Sequence, residues 1–256
     1  GMGGINQARL ADAAVSRALT AFDDFKQLLS DYNVVPELIA TSAVRDAVNA
    51  SEFISLVHDR YGWDIKVVSG KQEAELIYKG VGLCYGFEAP TTIMDIGGGS
   101  TEFIEANKQG IMRAVSLNIG VSRLYQGFSV GNPFSKKDVR DIEDFLESHS
   151  NGFFRSSQTP ILIGSSGTFE TFFELINQKP FPKGTQLVEL DLEPFLVSLD
   201  SLIYSTQEER NKNEFIIPIR KRMAPFAAVK TRWVMQQIKP KKILISPYSL
   251  KEGVLV

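Results

Sequence analysis

The sequence predicts an α/β fold made of two related units. Three observations carry that prediction. Short apolar runs (36–41, 64–68, 160–164 and 241–246) are bracketed by segments with helical apolar spacing, the pattern of strands buried between helical layers. The order of elements then recurs. Residues 8–80 read helix, strand, helix, strand, helix; residues 91–256 read three strands, helix, strand, helix, strand, helix, with extra helices inserted. The two orders coincide if a three-stranded meander is missing from the front of the first unit, a repeat of architecture rather than of residues. Finally, Gly80, Gly82, Gly86 and Pro90 cluster between the units, which sets the expected domains at 1–80 and 81–256.

Each element has its own signal. Residues 8–30 are an amphipathic helix, with Ala11, Val15, Ala18, Phe22, Phe25 and Leu29 at three- and four-residue steps. Strand 36–41 is followed by a helix to about residue 60, capped by Ser51. Strand 64–68 leads to a helix opened by the capping box Ser69 to Gln72. The meander follows as strands 91–95, 101–106 and 111–117, with a turn at 108–110. Helices are expected near 121–127 and 136–148, the second capped by Ser135, then over 167–177, 192–205 and 222–238. The polar stretch 205–213 reads as an exposed loop or helix end.

Composition narrows the function. Of 256 residues, 28 are basic and 30 acidic, a formal charge of -2 that argues against a dedicated nucleic-acid binder but allows a local basic groove. Cys84 is the single cysteine, which excludes an internal disulfide and fits a reducing, cytoplasmic setting. No apolar run has membrane-spanning length and no signal-peptide pattern precedes the first helix. His58 and His149 lie too far apart in sequence to suggest a histidine zinc site. Gly1-Met2 reads as a tag residue ahead of a start methionine.

The strongest chemical signal is the segment 95–102, DIGGGSTE. Three consecutive glycines cost backbone entropy and suit close approach of backbone N–H groups to an anion. Asp95, ending a buried strand, can hold Mg²⁺, and Ser100 adds a hydroxyl. Strand alternation puts Ser100 and Glu102 on one face, Thr101 and Phe103 on the other. A glycine hairpin with an exposed acid is the alternative. Glu73, in a helix's first turn, is either a dipole-stabilising residue or a general base. Arg45 can fork onto phosphate oxygens or pair with Asp46. Residues 164–168, GSSGT, link a buried strand to a helix N-terminus, which can bind an anion or be an ordinary capped turn. The basic runs 220–222 and 239–242 read more readily as solvated faces than as a polyanion path.

Together these motifs resemble the exopolyphosphatase/guanosine pentaphosphate phosphatase family. The ordered anchors are 40–49 (ATSAVRDAVN), 68–74 (VSGKQEA), 95–102, 116–120 (SLNIG), 164–168 and 250–253 (LKEG). The resemblance implies two actin-like, ribonuclease H-like α/β domains with a cleft between them, the first lacking its N-terminal strands and their phosphate loop. It implies Glu73 as the catalytic glutamate that activates water. Asp95 and Glu102 would hold Mg²⁺ or another divalent cation. Arg45, Gly97, Gly98, Gly99 and Ser100 would bind phosphate, joined by Gly164, Ser165, Ser166, Gly167 and Thr168. The substrate implied is polyphosphate or a phosphorylated guanosine nucleotide, with no nucleic-acid or membrane partner and a homodimer as one assembly. Gln72 stands where the family usually has an acid, and Lys251 where arginine is common. An ATP-dependent kinase or ATPase of the same superfamily, and a non-catalytic binder of polyphosphate or an alarmone, are the competing readings.

Overall fold

A computed structural model describes residues 8–32 and 34–256; Gly1-Met2 lies outside them. The chain forms two compact units, Gly1–Gly70 and Lys71–Val256. In the first, α1 (Asp12–Leu28) precedes β1 (Leu38–Ala40), α2 (Ser42–Arg45), α3 (Ala50–Tyr61) and β2 (Ile65–Val67). The two strands pair in parallel, with Leu38 beside Ile65. Leu10, Val44, Phe53, Val57 and Trp63 form the core, against which Val15, Ala18, Phe22 and Leu29 of the predicted stripe pack. Phe25, at the stripe's edge, is exposed instead. Ser51 does not cap α3. Asn49 precedes the helix, and its side chain binds the backbone N–H and C=O of Leu10 instead.

The second unit opens with α4 (Gly70–Gly82), whose first residue belongs to the first unit, and continues with β3 (Thr91–Ile96), β4 (Thr101–Asn107) and β5 (Gly110–Leu117). Then come α5 (Val121–Gly127), α6 (Lys136–His149), a 3-10 turn at Phe153–Ser156, β6 (Ile161–Ser165) and α7 (Gly167–Asn177). The chain closes with β7 (Val188–Leu190), α8 (Leu192–Ile203), α9 (Gln207–Lys212), α10 (Ala224–Ile238), β8 (Lys242–Ile245) and α11 (Leu250–Gly253). The sheet order is β5-β4-β3-β6-β8-β7. The meander is antiparallel, β3, β6 and β8 are parallel, and β7 is an antiparallel edge. This is the ribonuclease H-like arrangement, with one extra edge strand. The edge strand was not expected: three residues are too few to show alternation. The stretch 205–213 is more ordered than its polarity suggests, because Thr206 and Glu209 form a reciprocal capping box on α9.

Alternation along the strands sorts the cores. Met94, Ile96, Phe103, Leu162, Ile243 and Ile245 face the larger core, shared with α6, α7, α8 and α10. Ile93, Ile104, Ile163 and Leu244 face the smaller one, closed by Ala74, Ile77 and Val81 of α4. The helix carrying Glu73, expected in domain 1–80, therefore packs on the second unit's sheet. Its apolar stripe shows that it must be covered, but not by which sheet. The helices α4 and α11 touch through backbone: a Cβ at Gly80 would run into the Ser249 carbonyl, and one at Gly253 into that of Leu76.

Candidate active site

The glycine loop between β3 and β4 is fastened from behind. The carbonyls of Gly97, Gly98 and Gly99 accept from the N–H groups of Val121 (3.0 Å), Ser122 (2.9 Å) and Gly120 (3.1 Å), and Arg123 Nε donates to Gly99 O at 3.1 Å. In a trans peptide the C=O and the following N–H point opposite ways, so the N–H groups of Gly98, Gly99 and Ser100 turn away from α5. Crowding on the fastened side is severe. A Cβ built on Gly120 would lie 2.2 Å from Gly98 O, and one on Gly98 3.2 Å from Ser122 Oγ. The small residues are thus required where backbone meets backbone, a reason the sequence reading did not contain.

Three acids converge on the smaller-core face, at the end of the sheet where β3 and β6 terminate. Asp95 follows Ile93 by two residues and pairs in register with Ser165 on one side and Glu102 on the other. Its Oδ2 accepts from Ser165 Oγ (3.1 Å) and from Ser249 Oγ. Burial pushes its pKa above the usual carboxylate range, against the pull of those hydroxyls. Glu102 accepts from Ser116 Oγ at 2.7 Å and is hydrogen-bonded by Ser100. Its pKa is raised to about 8, first by burial, then by the negative charge of Glu73. Glu73, in the first turn of α4, is itself buried, whereas its neighbours Gln72 and Glu75 are exposed. Helix and sheet thus bring acids close enough for the charge of Glu73 to raise the pKa of Glu102, an arrangement that an added positive charge would relieve.

The residues of the segment 164–168 have identifiable contacts of their own. A Cβ on Gly164 would enter the Phe169 ring, so this glycine answers to packing. The Ser165 hydroxyl is turned to Asp95 and Tyr248 O. Ser166 has φ 76° and donates to Ile96 O at 3.4 Å. Gly167 lies under the Arg220 guanidinium, which also donates to Thr171 at 2.9 Å. Thr168 is half-buried in the first turn of α7. Arg220 is therefore not on a solvated face, as the basic run suggested. Arg45 belongs to the first unit, where Nη1 donates to Val68 O at 3.0 Å and Nε lies 3.5 Å from Asp46 Oδ1.

Two further contributors escaped the sequence reading. Ser249 starts a capping box with Glu252 that places its hydroxyl on Asp95; the S-x-x-E spacing at 249–252 was a visible signal. Lys230 is fully buried in α10, and its Nζ donates to Thr101 Oγ1 at 2.7 Å. Its signal was a lysine flanked by apolar residues on both sides, in the runs 224–229 and 233–235.

The sheet order defines a protein of the ribonuclease H-like class, with a glycine loop and clustered acids at the strand ends. The chain belongs to the Ppx/GppA phosphatase family, which residues 3–256 match. An exopolyphosphatase from Cytophaga hutchinsonii has the same structure with a TM-score of 0.93 and 33% identity, over 100% of this chain and 85% of that one. The Aquifex aeolicus Ppx-GppA enzyme shares the fold, with a TM-score of 0.81 and 23% identity over 100% of this chain and 87% of its own. Exopolyphosphatase 2 of Mycobacterium tuberculosis is 29% identical over 177 residues, 65% of this chain and 55% of that protein. A bifunctional 3-dehydroquinate synthase/phosphatase of Fusobacterium nucleatum is 32% identical over 181 residues, 63% of this chain and 26% of that protein. The chain thus spans about half or less of the length of these two curated relatives. Among the described residues, no helix is long and apolar enough to cross a membrane.

Proposed function

We propose that this site hydrolyses the terminal phosphoric anhydride bond of inorganic polyphosphate, releasing orthophosphate. The observation that carries the reading is the convergence of buried Glu73, Asp95 and Glu102 beside a glycine loop whose carbonyls are tied back to α5. Glu73 accepts a proton from water as the water oxygen bonds to the terminal phosphorus. The bridging P–O bond then breaks, and the shortened chain leaves with its oxygen negatively charged. The loop's N–H groups, turned outward, stabilise the charge on the equatorial oxygens.

Mg²⁺ fits the acids present. Although the three acids are neighbours, among the described residues no three His, Cys, Asp or Glu side chains stand close enough to form a metal cage by themselves. Mg²⁺ commonly takes only one or two carboxylates and completes its shell with phosphate oxygens and water. Asp95 and Glu102 would supply those carboxylates, and the ion would neutralise charge on the transferred group. Guanosine pentaphosphate has the same reactive anhydride, and a cytoplasmic setting accords with either substrate.

A panel of polyphosphate, tripolyphosphate, guanosine pentaphosphate and ATP, each with and without Mg²⁺, tests the proposal through phosphate release. Mg²⁺-dependent release from polyphosphate is expected. Release from ATP alone would instead favour a nucleotide-directed enzyme, and binding without release from any substrate a sensing module.

A further inference from the structure

Among the described residues, Lys230 is a buried side chain near the loop that neither the core nor the chemistry above accounts for. It stands in the middle of α10, between Ala227, Val229, Trp233 and Val234, and is 0% exposed. A methionine would fill that space without burying a charge. Burial pushes the ammonium down to about 7, opposed only by the negative charge of Glu102. Its ammonium donates a hydrogen bond to Thr101, between Ser100 and Glu102 but facing the opposite side of the sheet. A neutral hydroxyl compensates an ammonium poorly, whereas a polyanion held across the loop would compensate it well, because charges separated by a dry layer interact strongly.

We infer that Lys230 is a positioning residue for the phosphate loop: through Thr101 it fixes the start of β4 from behind, and its positive charge tightens binding of a multiply charged phosphate chain in front. The inference rests on the phosphate-binding reading of this loop. It predicts an unusual split. Lys230→Met should bind tripolyphosphate at least 10-fold more weakly, yet melt no lower than the parent protein, because a buried cation has been removed. Loss of a merely structural contact would lower the melting temperature as well.

Calorimetric titration with tripolyphosphate, alongside thermal melts, provides the test. Thr101→Val should weaken binding like Lys230→Met, and Thr101→Ser, which keeps the hydroxyl, should stay within threefold of the parent. If Lys230→Met binds within threefold of the parent, the inference is overturned. Should that variant fail to fold, equal affinities for Thr101→Val and Thr101→Ser overturn it instead. A parent protein that binds no tripolyphosphate refutes the phosphate reading itself, an outcome distinct from either.

Discussion

Gly120→Ala tests whether the loop's position is set from behind. The added Cβ would lie 2.2 Å from Gly98 O, 2.3 Å from Gly98 C and 2.4 Å from Gly99 C. Ordinary van der Waals contact begins at 3.4 Å, so Gly98 must retreat by about 1 Å or α5 must. Both are backbone, with no rotamer to absorb the change. Overpacking of this kind costs about 1–3 kcal/mol, a loss of roughly 2–10 °C in melting temperature for a chain this size. A displacement of about 1 Å in a phosphate cradle lowers turnover on the order of 100-fold. Phosphate release from tripolyphosphate and a thermal melt measure the two effects. Gly184→Ala, where a Cβ meets nothing within 4 Å, is the control and should change neither. Activity of Gly120→Ala within threefold of the parent would refute the claim that α5 fixes the loop.

Three more outcomes are expected. Glu73→Gln should lower phosphate release by about 10²–10⁴-fold while tripolyphosphate affinity stays within a few-fold; undiminished release would remove Glu73 from the base role. Lys230 is protonated up to about pH 7 when folded but to about 10.5 when unfolded, so between those values the unfolded chain holds more protons and stability rises with pH. Lys230→Met should erase that slope, worth on the order of a few kcal/mol across the window, and leave only the smaller opposite slope of Glu102, which the folded chain keeps protonated up to about pH 8; urea midpoints at pH 8 and pH 10 read it, and parallel curves for both proteins would contradict it. Mg²⁺ with tripolyphosphate should raise the parent's melting temperature by several degrees, and Asp95→Asn should abolish most of that rise; an equal rise in both would take Asp95 out of the metal site.

Much of this was legible because strand alternation is a strict rule. Once 101–107 is a strand, Glu102 must share a face with Ile104, and Thr101 with Phe103. The acid ending a buried apolar run and the glycines after it followed from local chemistry. What was hidden depended on tertiary partners. The stripe Ala74, Ile77, Val81 fits any apolar sheet, so it did not reveal that Glu73 travels with the second unit. The serine pair Ser165 and Ser249 meets on Asp95 across 84 residues of chain. Arg220 looked like part of a basic run, yet its place over Gly167 depends on the path between α9 and α10. Gly164 also makes room for Phe169, a demand that no local pattern carries.

The contact between α4 and α11 has a mechanical consequence. Helices that meet through side chains can slip, because rotamers readjust and absorb part of any shift. Gly80 against Ser249 and Gly253 against Leu76 leave no such cushion. One helix carries Glu73 in its first turn, and the other is preceded by the serine that grips Asp95. The spacing of these two acids is therefore governed by peptide dimensions, which do not vary with rotamer hopping, and a strain applied at either helix passes to the other almost undamped.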